Sequence, residues 1–237
     1  MTDLGEVFAV FDARDSGNVS YGVRIDGQPY FVKTAGAVDD GHAQRVALLR
    51  NAVEVAAISH PVLPALHRVL ESATGPVLLY AWFDGELLGA RRELRDDPAS
   101  AFQRFRALPA PRITACLDAV FDLHVVLARA GWIAGDFYDG CLMYQFATGE
   151  VRVIDLDTYH RGPFTNTVGR MFGSSRFMAP EELERGAAID ERTTVFNLGR
   201  SIAVFLDEAS PVVARACARE PANRFATVAD FVAAWRG

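Results

Sequence analysis

Cysteine is scarce in this chain, which has only Cys116, Cys141 and Cys217 in 237 residues. Three widely spaced thiols build neither a disulfide framework nor a CxxC metal knuckle, so a reducing cytoplasm is expected. No window approaches the eighteen or so consecutive apolar residues of a membrane span, and no membrane partner is expected. The start, MTDLGEVFAVFDARD, is acidic and lacks the basic start and long apolar stretch expected of a secretion signal. No long basic block occurs and the net charge is −6, which disfavours nucleic acid as a partner. Internal repeats and low-complexity linkers are absent as well. What is present is an ordinary globular mixture, half apolar and 23% charged, long enough for one large domain or two small lobes.

The first third reads as strands. VSYGVRI and YFVKTA alternate apolar and polar residues on either side of the turn DGQP. Residues 42–58 have helical spacing at Val46, Leu49, Val53 and Ala57, and SHPVLP ends that helix. LHRVLES and VLLYAWF predict two more strands. The remainder is mostly helical, beginning with a strong amphipathic helix over 113–130 and Gly131 as its stop. Short strand-like pieces, CLMYQF and VRVID, flank the turn TGE. Helices are predicted again over 180–185, 194–207, 211–219 and 228–235. Cys116 and Cys217 fall in apolar helical segments and read as core.

Within WIAGDFYDGCLMYQFATGEVRVIDLDTY, four aspartates interrupt a largely apolar run, and Asp155 and Asp157 directly follow VRVI. A surface turn explains such a placement, and so does a metal site. On an extended segment, carboxylates at i and i+2 point the same way and give a hard-oxygen pair suited to Mg²⁺. The chain also has a lone strand lysine, Lys33 in YFVK, followed by a helix ending in SHP. Then come Asp136 in GDFYDGC, Asp155 in VIDLD, GSSRFMAPEE and EPANRF.

That order of motifs resembles the protein-kinase superfamily, in a divergent and minimal form similar to the eukaryotic-type Ser/Thr protein kinases of bacteria. The resemblance runs from about Val19 to Trp235, and its most specific part is Gly173 to Glu181. It implies an α+β, bilobal fold. A β-rich N-lobe over 1–84 would have a small antiparallel sheet and one helix, and a shortened, mostly helical C-lobe would cover 85–237. It also implies ATP and Mg²⁺, with Mn²⁺ as a substitute, and a hydroxyl acceptor on a protein or a small molecule.

The roles it implies are specific. Lys33 would neutralise nucleotide phosphates, Asp136 would receive the acceptor's proton, and Asp155 would hold the metal with Asp157 beside it. Gly17 and Val19 would cover the phosphates, and Ala81 and Trp82 lie near the implied hinge. Asn51 or Glu54 would partner the lysine. Glu181 and Arg224 would form a buried structural pair.

Several positions depart from the pattern. Asp12 and Arg14 stand where glycines are expected, Cys141 stands for a metal-binding asparagine, and Ala134-Gly135 stand for a His-Arg pair. Asp139 is a second source of the oxygen that Cys141 lacks. Thr194 replaces an anchoring aspartate, and Ser174 takes a hydroxyl position near Asp136. Thr165 and Thr167 are candidate phosphorylation sites. Without the arginine before Asp136, control by a segment phosphate is not expected. Three readings follow: an active Ser/Thr-type kinase, a pseudokinase acting as a binding or scaffold module, and a small-molecule kinase of the antibiotic type.

Overall fold

The structure is a computed structural model that describes residues 4–11, 18–89 and 92–237. The chain divides into two compact units, Met1–Asp84 and Gly85–Gly237. Their elements make it an α+β protein. It has a five-stranded antiparallel sheet and, among the described residues, six α-helices. No helix among those residues is long and apolar enough to cross a membrane.

The first unit contains β1 (Glu6–Phe11), β2 (Val19–Ile25), β3 (Gln28–Thr34), α1 (His42–Ala56), β4 (Leu66–Ser72) and β5 (Gly75–Ala81), with strand order β1-β2-β3-β5-β4. Asp26 and Gly27, both at positive φ, make the two-residue turn that pairs Ile25 with Gln28. This is the twist-matched hairpin connection for which Asp-Gly is suited. One face of the sheet buries Val23, Val32, Val77 and Leu79. The other packs Leu78 and Ala35 against Leu49 and Ala52 of α1. Strand β1 was not foreseen. All of its residues from Val7 to Phe11 are apolar, so no period-2 contrast marks them, and pairing with β2 decides their conformation.

The second unit contains β6 (Glu86–Leu87), α2 (Ala101–Arg106), α3 (Ala110–Arg129), β7 (Trp132–Ile133), β8 (Leu142–Tyr144) and β9 (Val151–Val153). Then come β10 (His160–Arg161), β11 (Phe164–Thr165), β12 (Ala188–Ile189), α4 (Glu191–Leu206), α5 (Pro211–Ala216) and α6 (Val228–Arg236). Its core is aromatic. Phe105 meets Tyr144 and Phe205 edge-on at 4.9 and 5.0 Å, and Phe121 meets Phe231 at 5.4 Å, a geometry that suits the ring quadrupoles.

The expected helix over 180–185 is instead a short 3₁₀ turn, Pro180–Leu183. Glu181 and Glu182 are both buried there, and their carboxylates are bound to other elements, which fixes a tight turn rather than a propagating helix. Helix α2 also went unforeseen. It is only six residues long, too short for periodicity to register, and is started by the Ser100 side chain, which accepts from Gln103 N–H.

Candidate functional site

In the first unit, Lys33 lies on β3, only 7% exposed, paired with Ser20 of β2 and Leu78 of β5. Paired residues share a face of the sheet, so Lys33 stands on the face that carries α1. Asn51 of α1 is half-buried, whereas Glu54 is exposed. Alternation sets Val19, which pairs with Thr34, on the opposite face from Lys33. The β2 residue that shares the lysine's face is the buried Ser20. Ala81 pairs with Tyr30 and shares its face, also opposite to Lys33. Gly17, like Asp12 and Arg14, lies outside the described residues.

Aromatic rings gather on the lysine's face. Phe31 pairs with Gly22 and Tyr80, Phe11 lies 5.9 Å from Phe31, and Trp82 meets Phe8 edge-on at 5.0 Å. A Cβ built on Gly22 would sit 2.6 Å from the Phe8 ring, so only glycine lets that ring lie on the strand. Phe8 and Phe11 remain partly exposed.

In the second unit, the loops bearing Asp136 and Asp155 are laced together from both sides. Residues 132–133 pair with 160–161 as β7 and β10, and Thr158 O–H donates to Gly135 C=O at 2.8 Å. On the other side, Cys141 S–H donates to the Asp136 carbonyl at 3.1 Å, and Cys141 C=O accepts from Ile154 N–H at 2.8 Å. Cys141 is thus a buried tie between the loops, in keeping with a soft sulfur that suits Mg²⁺ poorly. Thr194 of α4 anchors the same loop, its hydroxyl oxygen accepting from Ala134 N–H at 3.0 Å.

Asp136 and Asp155 share a rarer property. Both have positive φ, 55° and 64°, a region costly for L-residues and concentrated at functional sites. Among the described non-glycine residues, the other two at positive φ, Asp26 and Asp207, have ordinary reasons, a hairpin turn and a helix end. No turn of that kind accounts for Asp136. The Asp136 carboxylate also faces Gly173: a Cβ built there would be 3.3 Å from its Oδ1.

The expected extended Asp155-Leu156-Asp157 segment is corrected. Asp155 is left-handed, and 156–158 form a 3₁₀ turn with Asp157 buried. The period-2 argument for parallel carboxylates therefore does not apply. As a donor set for Mg²⁺, the half-buried Asp155 fits as a hard carboxylate at the end of β9. Asp139 does not. It is 1% exposed and ion-paired with Arg176. Burial pushes its carboxyl above the usual range while Arg176 pulls it back. Among the described residues no group of three or more His, Cys, Asp or Glu side chains is arranged as a metal cluster.

Gly135 explains the missing arginine before Asp136. A Cβ there would lie 2.2 Å from the Thr158 carbonyl oxygen, so no side chain fits. Nearby, His124 of α3 is buried, its Nδ1 2.8 Å from Val120 C=O and its Nε2 2.8 Å from the Tyr159 hydroxyl. A carbonyl only accepts, so Nδ1 carries a proton, and in the neutral imidazole Nε2 then accepts from the Tyr159 hydroxyl. Burial holds the Tyr159 phenol well above its ordinary range, with Cys141 and Asp136 adding to the shift.

Arg224 donates to both oxygens of Glu181, at 2.6 and 2.9 Å, and Thr193 O–H donates to the same carboxylate. Sequence reasoning found that pair, but it missed Arg176, Thr158, Thr193 and the His124–Tyr159 contact, all long-range partnerships with no local pattern. Cys116 is buried, with its thiol pushed up to about 12 by burial, whereas Cys217 is only half-buried.

No protein-family model matches the chain, and comparison with curated proteins likewise finds no match.

Proposed function

We propose that the chain is an ATP-dependent phosphotransferase with a bilobal protein-kinase-like fold, acting on a hydroxyl acceptor. The observation that carries this reading is the pair of strained aspartates, Asp136 and Asp155, on loops bonded to each other from two sides. Backbone strain at two acidic residues in neighbouring loops fits a demand for fixed carboxylate positions rather than for stability.

Lys33 supports it. Of the 24 lysines and arginines, 23 are arginine and one is lysine. That lysine is buried on a central strand, in a chain that uses arginine at every other basic position. A compact ammonium on a rigid strand suits a point contact with phosphate, where a forked guanidinium does not substitute. The partly exposed rings on its face suit a nucleobase, since flat π-faces stack without sequence preference.

In this reading Lys33 neutralises the phosphates of ATP. Asp136 orients the acceptor hydroxyl and takes its proton as oxygen attacks the γ-phosphorus, and the bond to ADP breaks. Asp155 would hold Mg²⁺, which would supply charge neutralisation between the phosphates.

The test is transfer of label from γ-labelled ATP with Mg²⁺, beside Asp136→Asn and Asp155→Ala. Label on the protein or on an added hydroxyl compound, lost in both variants, supports the reading. Free phosphate alone, lost in both, points to a small-molecule acceptor. Transfer that survives both substitutions overturns the site. A second reading, a nucleotide-binding module without transfer, is favoured by Cys141 and Asp139 being committed to internal bonds. Nucleotide binding without transfer would select it.

A further inference from the structure

One ion pair in the second unit joins two loops that the proposed reaction needs together. Asp139 follows Asp136 by three residues and sits in a 3₁₀ turn, almost wholly buried. Its partner, Arg176, comes from the segment that begins at Gly173, which packs on the Asp136 carboxylate. The guanidinium is held in place by rings, 5.2 Å from the Phe102 centroid and 5.3 Å from that of Phe177. The backbone is held too: Arg176 C=O accepts from Arg200 Nε of α4 at 2.7 Å. Helices α2 and α4 and the loop at Asp139 therefore converge on one residue of the segment. A buried carboxylate that loses its cation is left uncompensated, so this contact favours one closed arrangement strongly.

We propose that Arg176 is a positioning residue. With Asp139 it latches the 173–178 segment onto the loop of Asp136, so that the segment is ordered without any covalently added phosphate. This rests on the phosphotransferase reading for its functional consequence. The physical argument is that the segment's cation already has an anion, supplied by the chain itself. The position from which a side chain could reach outward just before Asp136 is closed by the Thr158 carbonyl. The exposed Thr165 and Thr167 are then not needed as switches.

Hydrogen exchange read by mass spectrometry tests the latch on the full chain, for wild type, Asp139→Asn and Arg176→Gln, each with and without phosphatase treatment. The expected result is exchange over 170–178 faster by on the order of tenfold in both variants, with α3 and β5 unchanged. Wild type should be indifferent to phosphatase. Arg176→Lys should restore part of the protection by keeping the charge. Unchanged exchange at 170–178 in both variants would overturn the latch, as would a wild-type segment that loosens when phosphatase-treated. Where wild type transfers phosphate, Arg176→Gln should raise the acceptor KM more than it lowers kcat. A chain with no transfer but with the expected exchange pattern refutes the phosphotransferase reading and leaves the latch standing.

Discussion

At Lys33 the chain offers a clean chemical handle, because no second lysine competes for an amine-directed reagent. An N-hydroxysuccinimide acetate should modify Lys33 slowly, as its burial demands. Adding Mg-ATP should slow Lys33 further, read as the acetylated fraction of its peptide. Equal rates with and without nucleotide would remove Lys33 from a phosphate-binding role. Asp155 allows a different test, because strain and function make opposite demands there. At φ 64° an alanine carries the left-handed penalty and a glycine does not. Asp155→Gly should therefore be more stable than Asp155→Ala by about 1–2 kcal/mol in urea melts. Both should lose transfer. An alanine variant as stable as the glycine variant would mean that the segment relaxes and that the backbone position is not enforced. These residues were legible in the sequence because a lone lysine and acidic residues after a β-branched run stand out by type. Ser20 and Arg176 were not, since their meaning comes from strand register and from a partner 37 positions away.

The turn Pro180–Leu183 and helix α4 illustrate how an element can be fixed by buried acids. Glu181 is tied to Arg224 and Thr193. Arg224→Ala would strand the Glu181 charge and should cost about 3–5 kcal/mol, measured by urea unfolding. A cost under about 1 kcal/mol would show that water reaches the pair and that it does not hold the turn. Glu182 behaves differently. It accepts from Ala179 N–H and Asn197 Nδ2–H, and burial raises its pKa from 4.5 to about 7. The folded chain thus keeps a proton that the unfolded chain releases near pH 4.5. Between those values unfolding releases that proton, so stability falls as pH rises toward 7. Glu182→Gln should flatten that slope and be the more stable form at pH 8. A variant that keeps the wild-type slope would place the titration elsewhere. The helix expected over 180–185 failed for this same reason. Spacing reports where apolar faces lie, while this turn is set by carboxylates reaching Arg224 and Asn197, 43 and 15 residues away.

Across the whole chain, the α+β composition and most of the helices were readable, because α3, α4 and α6 each repeat apolar residues over two turns or more. Strand β1 and helix α2 were not, the first being uniformly apolar and the second a six-residue piece. For the candidate site, residue types were readable and the lacing of its loops was not. Ligand linkage gives the test at this scale. A ligand that binds the folded chain alone stabilises it by about 2.7 kcal/mol at a hundredfold excess over Kd. In a chain of this size each kcal/mol moves the melting temperature by roughly 2–4 °C. Mg-ATP near that excess should therefore raise the melting temperature by about 5–10 °C, and ATP with a chelator by less. Asp155→Ala should erase the difference between those two conditions, since it removes the carboxylate assigned to the metal. Asp157→Asn separates the two acids: an undiminished Mg²⁺ effect would confine the metal to Asp155, as the burial of Asp157 in its 3₁₀ turn suggests. A melt insensitive to nucleotide in wild type would remove ATP from the proposal altogether, whatever the strain at Asp136 and Asp155 serves.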